Sequence, residues 1–298
     1  EGKLWMIYGS YSGGIFVKEM DAESGMPLES GYGEKLLGGN HLRIEAPYVI
    51  YNEETGYYYM FLSFGGLDSD GGYNIRVCRS ENPNGPYVDS MGQDMKDCKG
   101  PAGSAFSDAT AEQYGTKLMG GYKFTWKEGE EDRKGYLSPG HNSCLYQEET
   151  GKYFIIYHTR FENSGETHEV RVHQMFFNEE GWPVIAPYRY TEESAEKLES
   201  KQLVGTYKYI NHGRDISPDM KESEELVLNK NNTISGALEG TWELSGDYNI
   251  TIKTDEAEYK GIALKQWDED GKKYVMTFTA LDSKSGVVIW GSGLNAID

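Results

Sequence analysis

One segment of this chain is written twice. Residues 45–61 read EAPYVIYNEETGYYYMF and residues 140–156 read GHNSCLYQEETGKYFII, so the shared EETG falls at Glu53–Gly56 and again at Glu148–Gly151, an offset of 95 residues. The same offset carries Asn74-Ile75-Arg76-Val77 onto Glu169-Val170-Arg171-Val172. Each copy is an apolar run, a tight polar turn, a Tyr/Phe-rich run and an alternating strand, which is the pattern of a repeated antiparallel hairpin. Glu1–Tyr8 aligns with Thr55–Leu62, so a third copy enters at its turn and lacks the strand before it. Repeats of roughly 40–55 residues, each a small antiparallel sheet, are the mark of a β-propeller. About three and a half units are countable, fewer than a closed ring needs.

The composition agrees with many short strands joined by tight turns: 37 Gly and 23 Tyr in 298 residues, with little helical periodicity. A net charge of −19 argues against nucleic acid and anionic membrane surfaces as partners, since both require a basic footprint. It suits a neutral partner. No apolar run approaches the roughly 20 residues of a membrane-spanning helix. Cys78, Cys98 and Cys144 are odd in number and form no CxxC, so they read as buried thiols, with one disulfide as the alternative.

Strands are expected at Leu4–Tyr8, Ile15–Met20, Tyr48–Tyr51, Tyr57–Phe64, Asn74–Cys78, Cys144–Tyr146, Tyr153–His158, Glu169–Phe177 and Pro183–Tyr188, with Lys117–Phe124 as one strand of the unit between the matching copies. The charged stretch 191–202 (TEESAEKLESKQ) reads as a short helix or linker. After it the texture changes. Residues 203–298 carry about eight short alternating strands and no echo of the repeat, which describes a separate antiparallel barrel or sandwich. The expected organisation is therefore an all-β chain: a propeller portion over 1–195 and an accessory β-barrel over 203–298.

Two residues stand out chemically. Glu45 lies between Ile44 and Ala46-Pro47 at the head of an apolar strand, surroundings that raise a carboxyl pKa and suit a general acid. The alternative is a strand-end Glu capping a turn. His141, in Ser138-Pro139-Gly140-His141-Asn142-Ser143, occupies nearly the same slot of the next copy, so both residues are expected to converge on a propeller axis, where a histidine could ligate a metal directly or through water. The alternative there is a turn histidine bonded to backbone. His168-Glu169-Val170-Arg171-Val172-His173 is not a zinc motif, because histidines five apart on a strand face opposite ways. Arg76 and Arg171 read as structural partners of blade carboxylates. The acidic runs Glu128–Asp132 and Asp268–Asp270 read as solvated loops. Aromatic faces, a carboxylate and a neutral partner together suggest carbohydrate.

The runs Leu4–Ile15, Ile44–Pro47, Tyr73–Val77, Ser138–Ser143 and His168–Met175, in this order, resemble the endo-α-1,5-L-arabinanases of glycoside hydrolase family 43, of the two-domain extracellular kind; residues 203–298 are similar to that group's C-terminal β-barrel. The resemblance implies a five-bladed β-propeller and inverting hydrolysis of arabinan and arabino-oligosaccharides, outside the cell or in the periplasm. It implies Glu45 as general acid, Ser10 and Asn74 as sugar-binding residues, and His141 beside a calcium ion, with sodium as the alternative ion. The family also uses two aspartates that no residue here matches. They are expected in an N-terminal segment upstream of residue 1, together with the first blades, and the activity is expected to depend on that segment. A non-catalytic carbohydrate-binding scaffold and an exo-acting arabinanase or arabinofuranosidase remain as alternatives.

Overall fold

The computed structural model describes residues 2–125 and 134–297; the acidic run at 128–132 lies outside them. Apart from short helical turns at Met95–Asp97, Asp108–Ala111 and Ser200–Leu203, its regular elements are strands. Strands β1 (Leu4–Ser10), β2 (Gly14–Met20) and β3 (Glu34–Leu37) form one antiparallel sheet. β4 (Ile44–Asn52), β5 (Tyr57–Phe64), β6 (Asn74–Ser80) and β7 (Thr116–Met119) form a second, each strand pairing with the next. β8 (Tyr122–Lys123), β9 (Tyr136–Gln147), β10 (Lys152–Phe161), β11 (Glu169–Phe177) and β12 (Pro183–Ile185) form a third.

The repeated EETG turns fold alike because their glycines take the left-handed backbone that a side chain resists: Gly56 has φ 74° and Gly151 φ 65°. In each, the glycine N–H returns to the last residue of the preceding strand, Asn52 O or Gln147 O, at 2.9 Å. The strand expected over Lys117–Phe124 is divided. Gly120-Gly121 interrupts it, so its first half closes the second sheet and its second half opens the third. The described residues therefore hold three blade-like sheets rather than three and a half.

The C-terminal residues close into a barrel of β13 (Gly205–Asn211), β15 (Glu224–Leu228), β16 (Thr233–Gly236), β17 (Gly240–Ser245), β18 (Asn249–Lys253), β19 (Glu258–Asp268), β20 (Lys273–Asp282) and β21 (Val287–Gly293), with β21 pairing back to β13. Trp242, Phe278 and Ile289 are buried in its core. The odd strand, β14 (Lys221–Glu222), leaves the barrel and pairs in parallel with β8, so Lys221 lies opposite Tyr122 and Glu222 opposite Lys123. Trp290 of β21 packs edge-on against Tyr122 at 5.0 Å and His212 at 4.3 Å, making one continuous core across the junction. Truncating such a buried Trp typically costs about 3–5 kcal/mol.

Three expectations meet the structure here. The cysteines are all free and buried. The stretch 191–202 is mostly irregular and ends in the single helical turn Ser200–Leu203, whose start is fixed by a capping box between Glu199 and Gln202. Arg171 pairs with Glu169 at 2.9 Å, but among the described residues Arg76 has no carboxylate within ion-pair distance. Fully buried, it donates to Asn74 Oδ1 and to the carbonyls of Glu112, Tyr114 and Arg214, the last of which belongs to the loop after β13. Burial lowers its pKa to about 10.

Candidate active site

The site forms at the head of β4 and midway along β9, and a shared irregularity shapes both strands. Glu45 lies opposite Ser63 and Tyr48 opposite Phe61, so Ala46 and Pro47 face the single residue Leu62. On β9 and β10, Gly140 lies opposite His158 and Ser143 opposite Ile156, so His141 and Asn142 face the single residue Tyr157. Both are β-bulges, devices that re-aim side chains at a sheet edge. Pro47 is tolerated there because a bulge does not demand its missing N–H. Ala46 (φ 53°) and His141 (φ 49°) both adopt the left-handed conformation. Unlike glycine, an alanine or histidine held there carries backbone strain.

The register agrees with the 95-residue offset of the repeat. Glu45 corresponds to Gly140, not to His141, and His141 corresponds to Ala46. The two functional candidates nonetheless meet across the blades, with His141 Nδ1 4.0 Å from Glu45 Oε1. The Glu45 side chain is 19% exposed and that of His141 59%.

Two hydroxyls hold Glu45. Ser10 Oγ, at the end of β1, donates to Oε2 at 3.0 Å, and Tyr73 OH donates to Oε1 at 2.7 Å. Burial, reinforced by the Glu45 carboxylate, raises the Tyr73 pKa far above its usual value, so Tyr73 stays a proton donor in this bond. Its ring lies on Gly140, where a Cβ would come within 2.2 Å of it. The neighbouring Tyr11 is pushed up to about 12, mainly by burial and then by Glu45, and donates to Gly65 O at 2.9 Å. Tyr11 also meets the edge of the exposed Phe106, above which sits Arg43, itself bonded to Asp108.

His158 completes the cluster. Its ring stacks between Tyr73 and His141, 6.0 Å from each, and meets the His168 edge at 4.4 Å. Burial, then the neighbouring His168, His141 and Arg160, lower its pKa to about 4, so it is neutral near pH 7. His173, at the other end of the motif-like run, is fully buried elsewhere, between Tyr157 and Ala186 O. Nearby loops are pinned: Ser138 Oγ donates to Asp68 O at 2.7 Å, and Glu166 accepts from Ser69 Oγ at 2.7 Å while pairing with Arg160 at 2.6 Å.

Ser10, Glu45 and His141 are thus brought together, and Asn74 is not. Asn74 is buried; its amide donates to Phe64 O and Gly72 O, and its oxygen accepts from Arg76. Those bonds occupy both amide hydrogens, so Asn74 braces the start of β6, next to Tyr73, rather than facing a cleft. Sequence reading passed over Tyr73, Ser63 and His158. Ser63 Oγ, which accepts from the His141 N–H at 2.7 Å, is the repeat counterpart of His158, a signal available from the offset alone.

For a metal ion, His141 offers a half-exposed imidazole. Among the described residues no group of three or more His, Cys, Asp or Glu side chains is placed to hold an ion. Calcium prefers six to eight oxygen ligands, so this donor set does not fit direct calcium coordination.

Residues 1–183 match the family described as glycosyl hydrolases family 43, and residues 187–291 match a C-terminal lipocalin-like domain. The chain belongs to glycosyl hydrolases family 43. This family 43 chain is 54% identical over 293 residues to the extracellular endo-α-(1→5)-L-arabinanase 2 of Bacillus subtilis, covering 98% of the chain and 62% of that protein. It is 49% identical to an extracellular endo-α-(1→5)-L-arabinanase of Thermotoga petrophila, covering 98% of the chain and 61% of that protein. In three dimensions it resembles the family 43 YxiA protein of Bacillus licheniformis (TM-score 0.94, 53% identity, 99% of this chain and 65% of that one). It likewise resembles an endo-1,5-α-L-arabinanase of T. petrophila (TM-score 0.92, 48% identity, 98% of this chain and 65% of that one). The chain therefore spans less than two thirds of the length of the relatives it matches.

Proposed function

We propose that this chain is part of an extracellular endo-arabinanase that hydrolyses internal α-1,5-L-arabinofuranosyl bonds of arabinan with inversion, Glu45 acting as general acid. The observation that carries the reading is the Glu45 carboxyl group, mostly buried at the strand-end bulge, with one hydroxyl on each oxygen and the His141 imidazole 4.0 Å away. A general acid must present its proton to the glycosidic oxygen in one fixed direction, and the Ser10 and Tyr73 bonds supply that direction. The names of the relatives support arabinan and arabino-oligosaccharides as substrates and an extracellular location.

Inversion requires a second carboxylate about 6.5–9.5 Å from the acid to activate water on the opposite face of the sugar. We place that base, and the remaining blades of a five-bladed ring, in the part of the relatives' length that this chain does not match. In this reading Ser10 also lines the sugar subsite. A calcium ion, if resident, is held through water beside His141. Metal analysis after dialysis into chelator tests the ion; a preparation that retains full activity with no bound calcium or sodium removes it from the reading.

The deciding experiment compares wild type and Glu45→Gln in the protein carrying this chain, on linear arabinan. The expected result is oligosaccharide release that falls about 10²–10⁴-fold in the variant. Undiminished release would refute the assignment of Glu45, and arabinose as the sole early product would replace endo by exo action.

A further inference from the structure

At the far ends of the blades the repeat has built something the catalytic reading does not use. Tyr51 and Tyr146 occupy equivalent positions on β4 and β9, and their cross-strand partners Tyr58 and Tyr153 are equivalent on β5 and β10. Each pair is in ring contact, with centroids 4.7 Å apart in the first and 4.5 Å in the second. The outer ring of each pair is open to solvent, Tyr51 at 47% and Tyr146 at 45%. A groove of about 630 Å³ runs past both outer rings and along Tyr153 to the barrel residues Tyr248 and Ile262. Glu45 stands at the opposite end of β4, six residues before Tyr51, which is roughly 20 Å along an extended strand.

Around the groove stand Glu53, Glu54 and Glu148, all acceptors. Exposed aromatic faces and carboxylate acceptors together suit a ligand with apolar C–H faces and many O–H donors. Anions are repelled by these carboxylates and by the overall charge of −19. A basic peptide would satisfy the carboxylates but has no particular use for flat rings at a repeated spacing.

We propose that this groove is a second, non-catalytic binding site for a neutral polysaccharide, holding a distant part of the chain being cut. Its assignment to arabinan in particular rests on the proposed function. A polymer anchored there raises the local concentration of its own linkages at the cleft, as any second contact on one ligand does.

The test uses the protein carrying this chain, wild type and Tyr51→Ala/Tyr146→Ala, in native gels cast with debranched arabinan, with hydrolysis of arabinan and arabinotriose followed in parallel. Retardation by arabinan is expected to weaken about tenfold in the double variant, the scale of two lost aromatic contacts. KM for the polymer is expected to rise while arabinotriose, too short to span the two sites, is cleaved as before. Tyr51→Phe/Tyr146→Phe keeps the rings and is expected to bind like wild type, which separates stacking from folding defects. Equal retardation of wild type and the alanine variant overturns the proposal. So does loss of binding to oligolysine with arabinan binding intact. If wild type neither binds nor cleaves arabinan, the proposed function fails. The groove is then judged on galactan and xylan gels, where retardation abolished by the alanine pair supports it and no retardation of wild type overturns it.

Discussion

Gly140→Ala probes how Glu45 is held. A Cβ at Gly140 would lie 2.2 and 2.3 Å from two carbons of the Tyr73 ring and 3.1 Å from Ser63 Oγ. Carbon atoms in contact settle at about 3.5–4.0 Å, so the ring must retreat by about 1.3 Å or more. The Tyr73 bond to Glu45 is 2.7 Å long and does not survive a displacement of that size in its direction. Overpacking of this kind costs about 1–3 kcal/mol of stability, and misplacing a reacting group by about 1 Å costs on the order of 10²-fold in rate. Tyr73→Phe keeps the ring and removes only the hydroxyl, so it is expected to lower kcat roughly tenfold with little effect on the Gly140 contact. The decisive measurement is a thermodynamic cycle by urea unfolding. In a Tyr73→Ala background the methyl group at position 140 has no ring to strike, so Gly140→Ala is expected to cost almost nothing there. If it costs as much in that background as in wild type, the methyl group is colliding with something other than Tyr73 and the reasoning fails.

Two further expectations follow from the same geometry. Ser10→Ala removes the second hydroxyl on Glu45 and is expected to lower kcat/KM for linear arabinan about tenfold, with Ser10→Thr restoring part of the loss; equal rates for Ala and wild type would free Ser10 of that role. His173 is fully buried with its pKa lowered from 6.5 to about 4, chiefly by burial. The unfolded chain binds the proton first as pH falls, so this group's stabilising contribution is complete above about pH 6.5 and lost by about pH 4, a change of roughly 3 kcal/mol. His173→Gln is expected to flatten the fall in unfolding free energy between those pH values, and an unchanged slope would refute the assignment.

Much of this architecture was legible because the repeat is strict where geometry is strict. The EETG turns need left-handed glycines, and the Tyr/Phe-rich run Tyr57–Phe64 and the strand Glu169–Phe177 keep their bounds to the residue. Short strands without such a pattern were not visible: β3, β14 and β16 are made by tertiary pairing rather than by local preference. Glu45 could be singled out because a carboxylate amid Ile, Ala and Pro is chemically unusual, whereas Tyr73 is one tyrosine among 23. The 95-residue offset already lays His141 over Ala46, but the shared bulge and left-handed backbone that turn both side chains are set by cross-strand register, which local sequence does not carry. Asn74 was misplaced because sequence cannot tell a polar side chain facing a cleft from one bonded inside the wall.

The short strand β14 carries a consequence for how the molecule comes apart. Its ladder with β8 belongs to both halves at once, so separating them means breaking main-chain hydrogen bonds and uncovering a sheet edge, not merely parting two surfaces. The boundary between the halves is therefore a seam sewn through the fabric of each, and cutting the gene at the end of the last blade would leave a loose thread on both pieces.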